Sequence, residues 1–143
     1  MFSKSCEYGI KALIYIANHS IKDTRVNIPN VADAIGSPTA FTAKILQRLV
    51  RGGIVISKKG PKGGFAITKK KIPLITLKEI VTIMDGDNVY NGCGLGLKKC
   101  NDDKPCPLHK NFNPVRDKLT IMLEKTTLKD LSDQLDDEHI FLK

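Results

Sequence analysis

The 143-residue sequence lacks long apolar segments. No hydrophobic run approaches the length of about 20 residues that a membrane-crossing helix needs, so we expect no membrane partner. Residues 1–7 also lack the apolar core of an export signal. These absences favour a cytoplasmic protein in a reducing compartment, where the four cysteines serve metal or redox chemistry rather than a disulfide framework.

Signatures of catalysis are absent as well. The sequence contains no Gly-rich phosphate loop, no Gly-x-Ser-x-Gly motif and no pair of carboxylates at a suggestive spacing. We therefore predict that the protein is not an enzyme. Internal repeats and low-complexity segments are missing too, which leaves one small folding unit.

Charge, in contrast, is abundant and unevenly distributed. Residues 1–71 contain 13 lysines and arginines against 3 acidic residues, whereas residues 72–143 contain 10 against 12. Neutralisation of phosphates by basic side chains supplies most of the sequence-independent affinity for DNA. The basic half therefore indicates a DNA-facing surface beside a sensing or assembly region, although a merely solvated basic face would have the same composition.

Apolar residues recur at helical spacing in three segments of the basic half. The first segment spans residues 6–18. Pro29 suits the first turn of a second helix that ends at Gly36, and Ser37 is expected to cap a third helix that ends near Gly52. Two helices joined by so short a turn are typical of a helix-turn-helix.

A β-hairpin is predicted directly after the third helix. Residues 54–56 and 65–67 have the composition of strands, and the glycine- and lysine-rich residues 58–64 connect them. A further short strand is predicted over residues 26–28. A basic hairpin that follows a helix-turn-helix predicts a winged helix, so we expect a mainly α fold with a small β-hairpin wing.

The first turn of the third helix is small and polar, as expected where a recognition helix enters the major groove. Basic side chains further along it can reach phosphates, and the wing lysines can lie along the DNA backbone or in the minor groove. For each residue the alternative is an ordinary solvent-facing side chain. The candidate DNA-contacting residues are Ser37, Thr39, Ala40, Thr42, Lys44, Arg48, Lys58, Lys59 and Lys62.

The second half is predicted to contain three helices and one long loop. Thr76 and Glu79 have the spacing of a capping box that opens a helix running to Asp85. An irregular stretch of roughly twenty residues follows, which is uncommon in a small domain unless it has a function. Pro114 is expected to begin the next helix, and a last helix covers residues 128–135.

Three cysteines and a histidine are concentrated in this stretch as Cys93-x6-Cys100-x5-Cys106-x2-His109. Thiolates and imidazole can supply four ligands to zinc or to an iron–sulfur cluster. The paired Cys-x2-Cys knuckles of common zinc sites are absent, which disfavours a small zinc finger. Inert cysteines without metal are the alternative. Cys6 is expected to be a small buried hydrophobic residue.

Four sequence features together resemble the IscR/NsrR-type bacterial winged-helix regulators of the Rrf2 family. They are residues 7–13, residues 44–49, the wing segment 60–65 and the three-cysteine segment. The resemblance covers nearly the whole chain. It implies a homodimer, joined by a long C-terminal dimerisation helix near residues 114–125, that binds double-stranded promoter DNA. It also implies that DNA affinity changes with the state of an iron–sulfur cluster.

The resemblance carries over to individual residues of the three-cysteine segment. Cys93, Cys100 and Cys106 match the family's cluster cysteines, and His109 matches the fourth ligand of IscR-like members. Other members use a carboxylate from helix one of the partner subunit, for which Glu7 is the nearest match. The first cysteine spacing is one residue longer than in IscR, so 2Fe-2S and 4Fe-4S clusters both remain open.

These observations predict a two-part chain. Residues 1–85 are expected to form the winged helix-turn-helix, and residues 86–143 the cysteine-containing loop and the dimerisation helix. The predicted function is that of a sequence-specific DNA-binding transcriptional regulator that senses redox state, nitric oxide or iron–sulfur status through a bound cluster. The alternative is a zinc-binding or metal-free regulator of the same fold with structural cysteines.

Overall fold

The first helix, α1 (Lys4–Ile21), is central to the computed structural model, which describes residues 1–136 and 140–143. The Ser3 hydroxyl accepts a hydrogen bond from the Cys6 amide and so caps the first turn. One face of the helix is apolar because its small and aliphatic residues recur at helical spacing. The residues with no exposed surface on this face are Cys6, Ala12, Leu13, Ile16 and Ala17.

The predicted helix-turn-helix consists of α2 (Ile28–Ile35) and α3 (Thr39–Arg51). The Asn27 side chain caps α2 by accepting a hydrogen bond from the Asn30 amide. Gly36 ends α2 in the left-handed region, with φ of 66°, which a residue with a side chain adopts at a cost. The tight turn between the helices follows from this glycine, and both helices pack on α1.

Two local predictions in this region are wrong. No strand forms over residues 26–28, because only Val26 pairs, in a single bridge with Phe65, before the chain enters α2. Ser37 does not cap α3. The N-cap position is Pro38, without a side-chain hydrogen bond, and the Ser37 hydroxyl only approaches the Pro38 carbonyl oxygen at 3.5 Å.

The wing is the antiparallel hairpin of β1 (Ile56–Lys58) and β2 (Gly64–Ala66). It follows α3 as predicted, but β1 begins two residues later than expected. Ile54 and Val55 are buried, and pairing with β2 starts at Ile56. Gly64 has φ of 127°, and a Cβ atom there would lie 2.7 Å from the Val26 carbonyl oxygen. Glycine at this position therefore allows the bridge that joins the wing to the segment before α2.

Between residues 69 and 134, the chain is mainly helical around one long loop. A 3₁₀ turn is followed by α4 (Leu77–Asp85), α5 (Asn88–Asn91), α6 (His109–Lys125) and α7 (Leu128–Gln134). We call residues 92–108 the cysteine loop; all are described, and they form neither helix nor strand. None of the helices in the described residues combines the length and apolar character of a membrane span.

The predicted start of α6 at Pro114 is wrong, because the helix begins at His109 and Pro114 lies within it. A proline inside a helix removes one backbone hydrogen bond, and this loss falls near the N-terminal end, where few turns precede it. His109, expected in a loop, is therefore the first residue of a helix.

The junction between α6 and α7 is tied to the start of α4. Leu77 donates its amide hydrogen to the Thr126 carbonyl oxygen, and Leu128 donates to that of Ile75, each at 2.8 Å. Thr127 and Asp130 form a reciprocal capping box at the start of α7. Because α7 packs on α1 and α6 packs on α4, the C-terminal helices share the core of the winged helix.

Candidate nucleic-acid interface and cysteine loop

The start of α3 presents a small, polar surface. Thr39, Ala40 and Lys44 are exposed, and Ser37 is half-buried in the turn that precedes the helix. Ala40 and Lys44 lie one helical turn apart and so share a face. The side chains of Ser37, Thr39 and Ala40 are short, which would let a groove wall approach the backbone at the start of α3.

Thr42 and Arg48 were also expected to contact DNA, but their side chains make intramolecular contacts. Thr42 has no exposed surface, and its hydroxyl donates to the Pro38 carbonyl oxygen at 3.0 Å. Arg48 donates from its guanidinium group to the carbonyl oxygens of Met84 and Ile83, at 2.5 and 3.4 Å. These carbonyls lie at the C-terminal end of α4, where a positive charge is favourable.

The wing carries an exposed cluster of positive charge. Lys58 ends β1 and Lys59 follows it, while Lys62 lies in the turn that Gly63 closes by donating to the Gly60 carbonyl oxygen at 2.9 Å. In the part of the chain that the structure describes, the three lysines take part in no ion pair. Their charges are therefore available to an anionic partner.

Further basic residues flank the wing and were not predicted as contacts. Arg25 packs beside the wing, since a Cβ atom on Gly64 would lie 3.3 Å from the Arg25 Cβ atom. The exposed Lys69–Lys71 follows β2, with Lys69 paired to Asp23 at 2.7 Å. The run of three lysines is visible in the sequence, whereas the position of Arg25 depends on the bridge between Val26 and the wing.

The cysteine loop brings the predicted metal ligands into two contacting pairs. The Sγ atoms of Cys93 and Cys106 are 3.6 Å apart, and Cys100 Sγ is 3.4 Å from His109 Nδ1. The other ring nitrogen of His109, Nε2, is 2.8 Å from an Asp102 carboxylate oxygen. All three cysteines and the histidine are half-buried, so small solutes can reach them.

The electrostatic surroundings of Cys93 favour its thiolate. Backbone N–H groups of Leu95 and Leu97 lower the pKa of the Cys93 thiol, and the Leu95 amide lies 3.4 Å from the sulfur. Thiolates, rather than thiols, are metal ligands and nucleophiles. Cys93 and Cys100 also line one pocket of about 320 Å³ at the start of the loop.

The loop is anchored to α6 at two places. Arg116 donates from its guanidinium group to the Gly92 carbonyl oxygen at 2.9 Å. Gly94 lies so close to α6 that a Cβ atom there would be 2.8 Å from the Phe112 ring. The position of the first cysteine is therefore mechanically linked to the long C-terminal helix.

Cys6 and Glu7 lie apart from this loop in sequence, at the start of α1. Cys6 has no exposed surface, and burial raises the pKa of its thiol to about 12, which confirms the prediction of a buried hydrophobic residue. Glu7 pairs with Lys4 at 2.9 Å, and this pairing lowers the pKa of its carboxyl group. The Glu7 carboxylate is thus ionised and partly accessible.

Comparison with known proteins agrees with this architecture. Residues 2–134 match the Rrf2 family model, described as an iron-dependent transcriptional regulator. A protein of Aquifex aeolicus, named as an HTH-type transcriptional regulator, is 31% identical over 143 residues, covering 99% of this chain and 96% of that protein.

Two solved structures have the same fold. CymR, the global cysteine regulator of B. subtilis, superposes with a TM-score of 0.77 at 20% identity, over 95% of this chain and 98% of that one. T. potens IscR gives a TM-score of 0.75 at 18% identity, over 98% and 91%. The fold prediction of a mainly α winged helix is confirmed. The chain belongs to the Rrf2 family of DNA-binding transcriptional regulators, which are not enzymes.

Proposed function

We propose that this protein is a sequence-specific transcriptional regulator that binds promoter DNA and senses redox state, nitric oxide or cluster supply through an iron–sulfur cluster. The observation that carries the proposal is that the cysteine loop, which is anchored to α6, brings Cys93, Cys100 and Cys106 together with His109, the first residue of α6. The family description as iron-dependent and the likeness to an IscR support it. Analysis of anaerobically purified protein for iron and acid-labile sulfide tests it.

The donor set is compatible with an iron–sulfur cluster. The four predicted ligands lie as two contacting pairs, Cys93 with Cys106 and Cys100 with His109. A cluster distributes its ligands over several iron atoms, and ligands arranged as two separate pairs are compatible with that demand. Cys93, Cys100 and Cys106 would hold the cluster, which when bound would supply chemistry that responds to oxidants and nitric oxide.

The fourth ligand has two candidates of different origin. His109 contacts the Cys100 sulfur through Nδ1, and the Asp102 carboxylate next to Nε2 would orient the ring. Glu7 is ionised and partly accessible, and in this proposal it would come from the partner subunit. We favour His109, because its ring already lies among the thiol groups.

The proposed DNA surface combines α3 with the wing. Ser37, Thr39, Ala40 and Lys44 would face the major groove, and the wing lysines would contact phosphates or the minor groove. Thr42 and Arg48 are left out of this surface, since the first is buried and the second holds the end of α4. Because its target is chromosomal DNA, the protein would act in the cytoplasm.

Arg48 suggests how the cysteine loop would influence DNA binding. It lies on the recognition helix and holds the carbonyl oxygens that end α4. Residues 86–92, which include the short helix α5, separate that end from Cys93. A change in the cysteine loop that shifts the C-terminal end of α4 would therefore move α3 as well. Such a movement would couple the state of the loop to the affinity of α3 for DNA.

A homodimer through α6 is the proposed assembly. Val115, Ile121 and Met122 expose 61%, 50% and 43% of their surfaces on this helix. Small proteins rarely leave such apolar surface without a partner. Leu123 lies within the range predicted for the dimerisation helix, residues 114–125, but it has no exposed surface and packs in the protomer's own core, so the proposed interface excludes it.

Removal of the wing charges should weaken DNA binding regardless of sequence. Replacing Lys58, Lys59 and Lys62 with alanine should lower affinity for specific and random duplexes alike, by roughly 10- to 100-fold at moderate salt. The slope of log affinity against log salt should also fall by about one unit for each phosphate that the variant no longer neutralises. Fluorescence anisotropy over a salt series measures both quantities.

A charge-matched control separates local contacts from net charge. The control variant replaces Lys4, Lys78 and Lys129 with alanine, so it also loses three positive charges. Each of these lysines lies outside the wing and is paired with a nearby acidic residue. We expect this variant to bind DNA almost normally. Equal losses of affinity in the two triple variants would contradict a specific contact by the wing.

Thr39 should influence which bases are preferred. Thr39→Ala should change discrimination at one base position per half-site by about 1–3 kcal/mol, measured by competition among operator variants. Thr42→Ala serves as the contrast, because that hydroxyl is buried and bonded to Pro38. It should lower the unfolding temperature without altering base preference. An unchanged preference for Thr39→Ala would remove this residue from the reading surface.

A further inference from the structure

We propose that Cys93 and Cys106 form an intramolecular disulfide when the cysteine loop holds no metal. The loop would then have an oxidised state that is chemically distinct from any cluster-bound state. This inference concerns the cluster-free chain, so it stands whether or not the cluster proposal is correct.

The Sγ atoms of Cys93 and Cys106 are close enough that a small movement would bring them to bonding distance. They are 3.6 Å apart and in contact, whereas a disulfide needs about 2.05 Å. The closure is therefore small. Both cysteines lie in the cysteine loop, outside helix and strand, so no hydrogen-bonded ladder must break. Loop backbone can absorb a displacement of this size more readily than a packed helix can.

The other cysteines have different surroundings, which makes the pairing selective. Cys100 contacts the Nδ1 atom of His109 at 3.4 Å rather than either of the other thiols. Cys6 has no exposed surface and lies in α1. Cys93 and Cys106 are half-buried, so a small hydroperoxide can reach them. Proximity and access therefore select this pair among the four cysteines.

The chemistry needs one hydroperoxide and balances in two steps. The sulfur of one cysteine attacks the peroxide, the O–O bond breaks, and a sulfenic acid forms while an alcohol, or water from hydrogen peroxide, leaves. The second thiol then attacks the sulfenic sulfur, the S–S bond forms and the hydroxyl leaves as water. The two thiols lose two electrons and two protons in total, and a cellular dithiol reductant reverses the change.

The disulfide would exclude metal from the loop. It would occupy two of the three thiols that are available to a soft metal. Cys106 lies three residues before the first residue of α6, and Cys93 follows the glycine that Arg116 holds. The disulfide would therefore join the two ends of the cysteine loop at positions close to α6. An oxidant could then change the conformation of the loop without acting on a cluster.

Peptide mapping tests the pairing directly. The 143-residue protein is freed of metal with a chelator and reductant, exchanged into anaerobic buffer and treated with stoichiometric hydrogen peroxide. Free thiols are then alkylated. Combined cleavage before aspartate and after lysine, except where proline follows the lysine, places Cys93 in residues 87–98, Cys100 in residues 100–101 and Cys106 in residues 103–110. We expect a reducible cross-link between residues 87–98 and 103–110, with Cys100 and Cys6 alkylated.

Serine variants sharpen the assignment. Cys100→Ser should retain the cross-link, whereas Cys93→Ser and Cys106→Ser should each abolish it. A cross-link to residues 100–101, a disulfide between two subunits on a non-reducing gel, or over-oxidation with no disulfide would overturn the proposal. Failure of the cluster proposal has a different signature, because a protein that binds zinc or no metal should still form the disulfide once it is metal-free.

Discussion

Protein purified without oxygen is expected to be brown, and alanine at Cys93, Cys100 or Cys106 is expected to remove the colour. Thiolate-to-iron charge transfer produces the absorption of iron–sulfur clusters, and loss of one obligatory thiolate leaves an iron atom without its ligand. We expect at least a tenfold loss of iron in each variant, in line with the effect of removing metal-site residues. Visible spectra, iron and acid-labile sulfide are the measurements.

Cys6→Ala is the matched control for this series. Cys6 is buried in α1, and its thiol has a pKa of about 12, so it supplies no thiolate at neutral pH. The variant should keep the colour and the iron content of the unaltered protein. Loss of colour on Cys6→Ala, with the three loop variants unaffected, would place the cluster outside the cysteine loop.

His109→Ala and Glu7→Ala distinguish the two candidates for the fourth ligand. Histidine ligation predicts a shifted spectrum or loss of the cluster for the first variant and an unchanged spectrum for the second. Carboxylate ligation predicts the reverse. Stoichiometric zinc in the anaerobic protein, with neither iron nor sulfide and no reconstitution, would overturn the cluster proposal and favour the alternative of structural cysteines, while leaving DNA binding intact.

The helix-turn-helix could be predicted because its boundaries are local. Gly36 ends α2 through a left-handed backbone, and Pro29 lies in the first turn of the same helix. Such signals act over a few residues and need no knowledge of the rest of the chain. The hairpin was equally accessible, since the glycines of its turn lie between two short apolar segments.

The burial of Thr42 is indicated by its spacing from the apolar residues of the same helix. Thr42 lies three, four and seven residues before Ile45, Leu46 and Leu49, which is the spacing of one helical face. All four residues are buried in α3. The periodicity therefore predicts an inward Thr42, and its polar side chain is accommodated by a hydrogen bond to its own helix.

Arg48 illustrates what a sequence pattern cannot reveal. Its partners, Ile83 and Met84, lie 35 and 36 residues away, so only the packing of α3 against α4 brings them together. An arginine on a recognition helix is typical of a phosphate contact, and the sequence gives no sign of these intramolecular hydrogen bonds. Long-range contacts also determine which apolar residues of α6 are buried in the protomer core and which are exposed to solvent.

The exposed face of α6 leads to a second large expected effect. Val115 and Met122 lie two helical turns apart and so share one face, with 61% and 43% of their surfaces exposed. Val115→Glu combined with Met122→Glu should convert a dimer into monomers, because two carboxylates per subunit would be buried at a symmetric interface. Sedimentation velocity measures the change in mass.

Loss of the dimer should also remove operator binding. A dimer contacts two half-sites at once, so the second contact is made at high effective concentration. We expect affinity for a palindromic site to fall by about 100-fold or more. Leu74→Glu is the matched control, because Leu74 is 75% exposed and lies outside α6. An unchanged dimer in the double variant would move the interface to another surface, whereas monomers from Leu74→Glu would show that any exposed apolar residue has this effect.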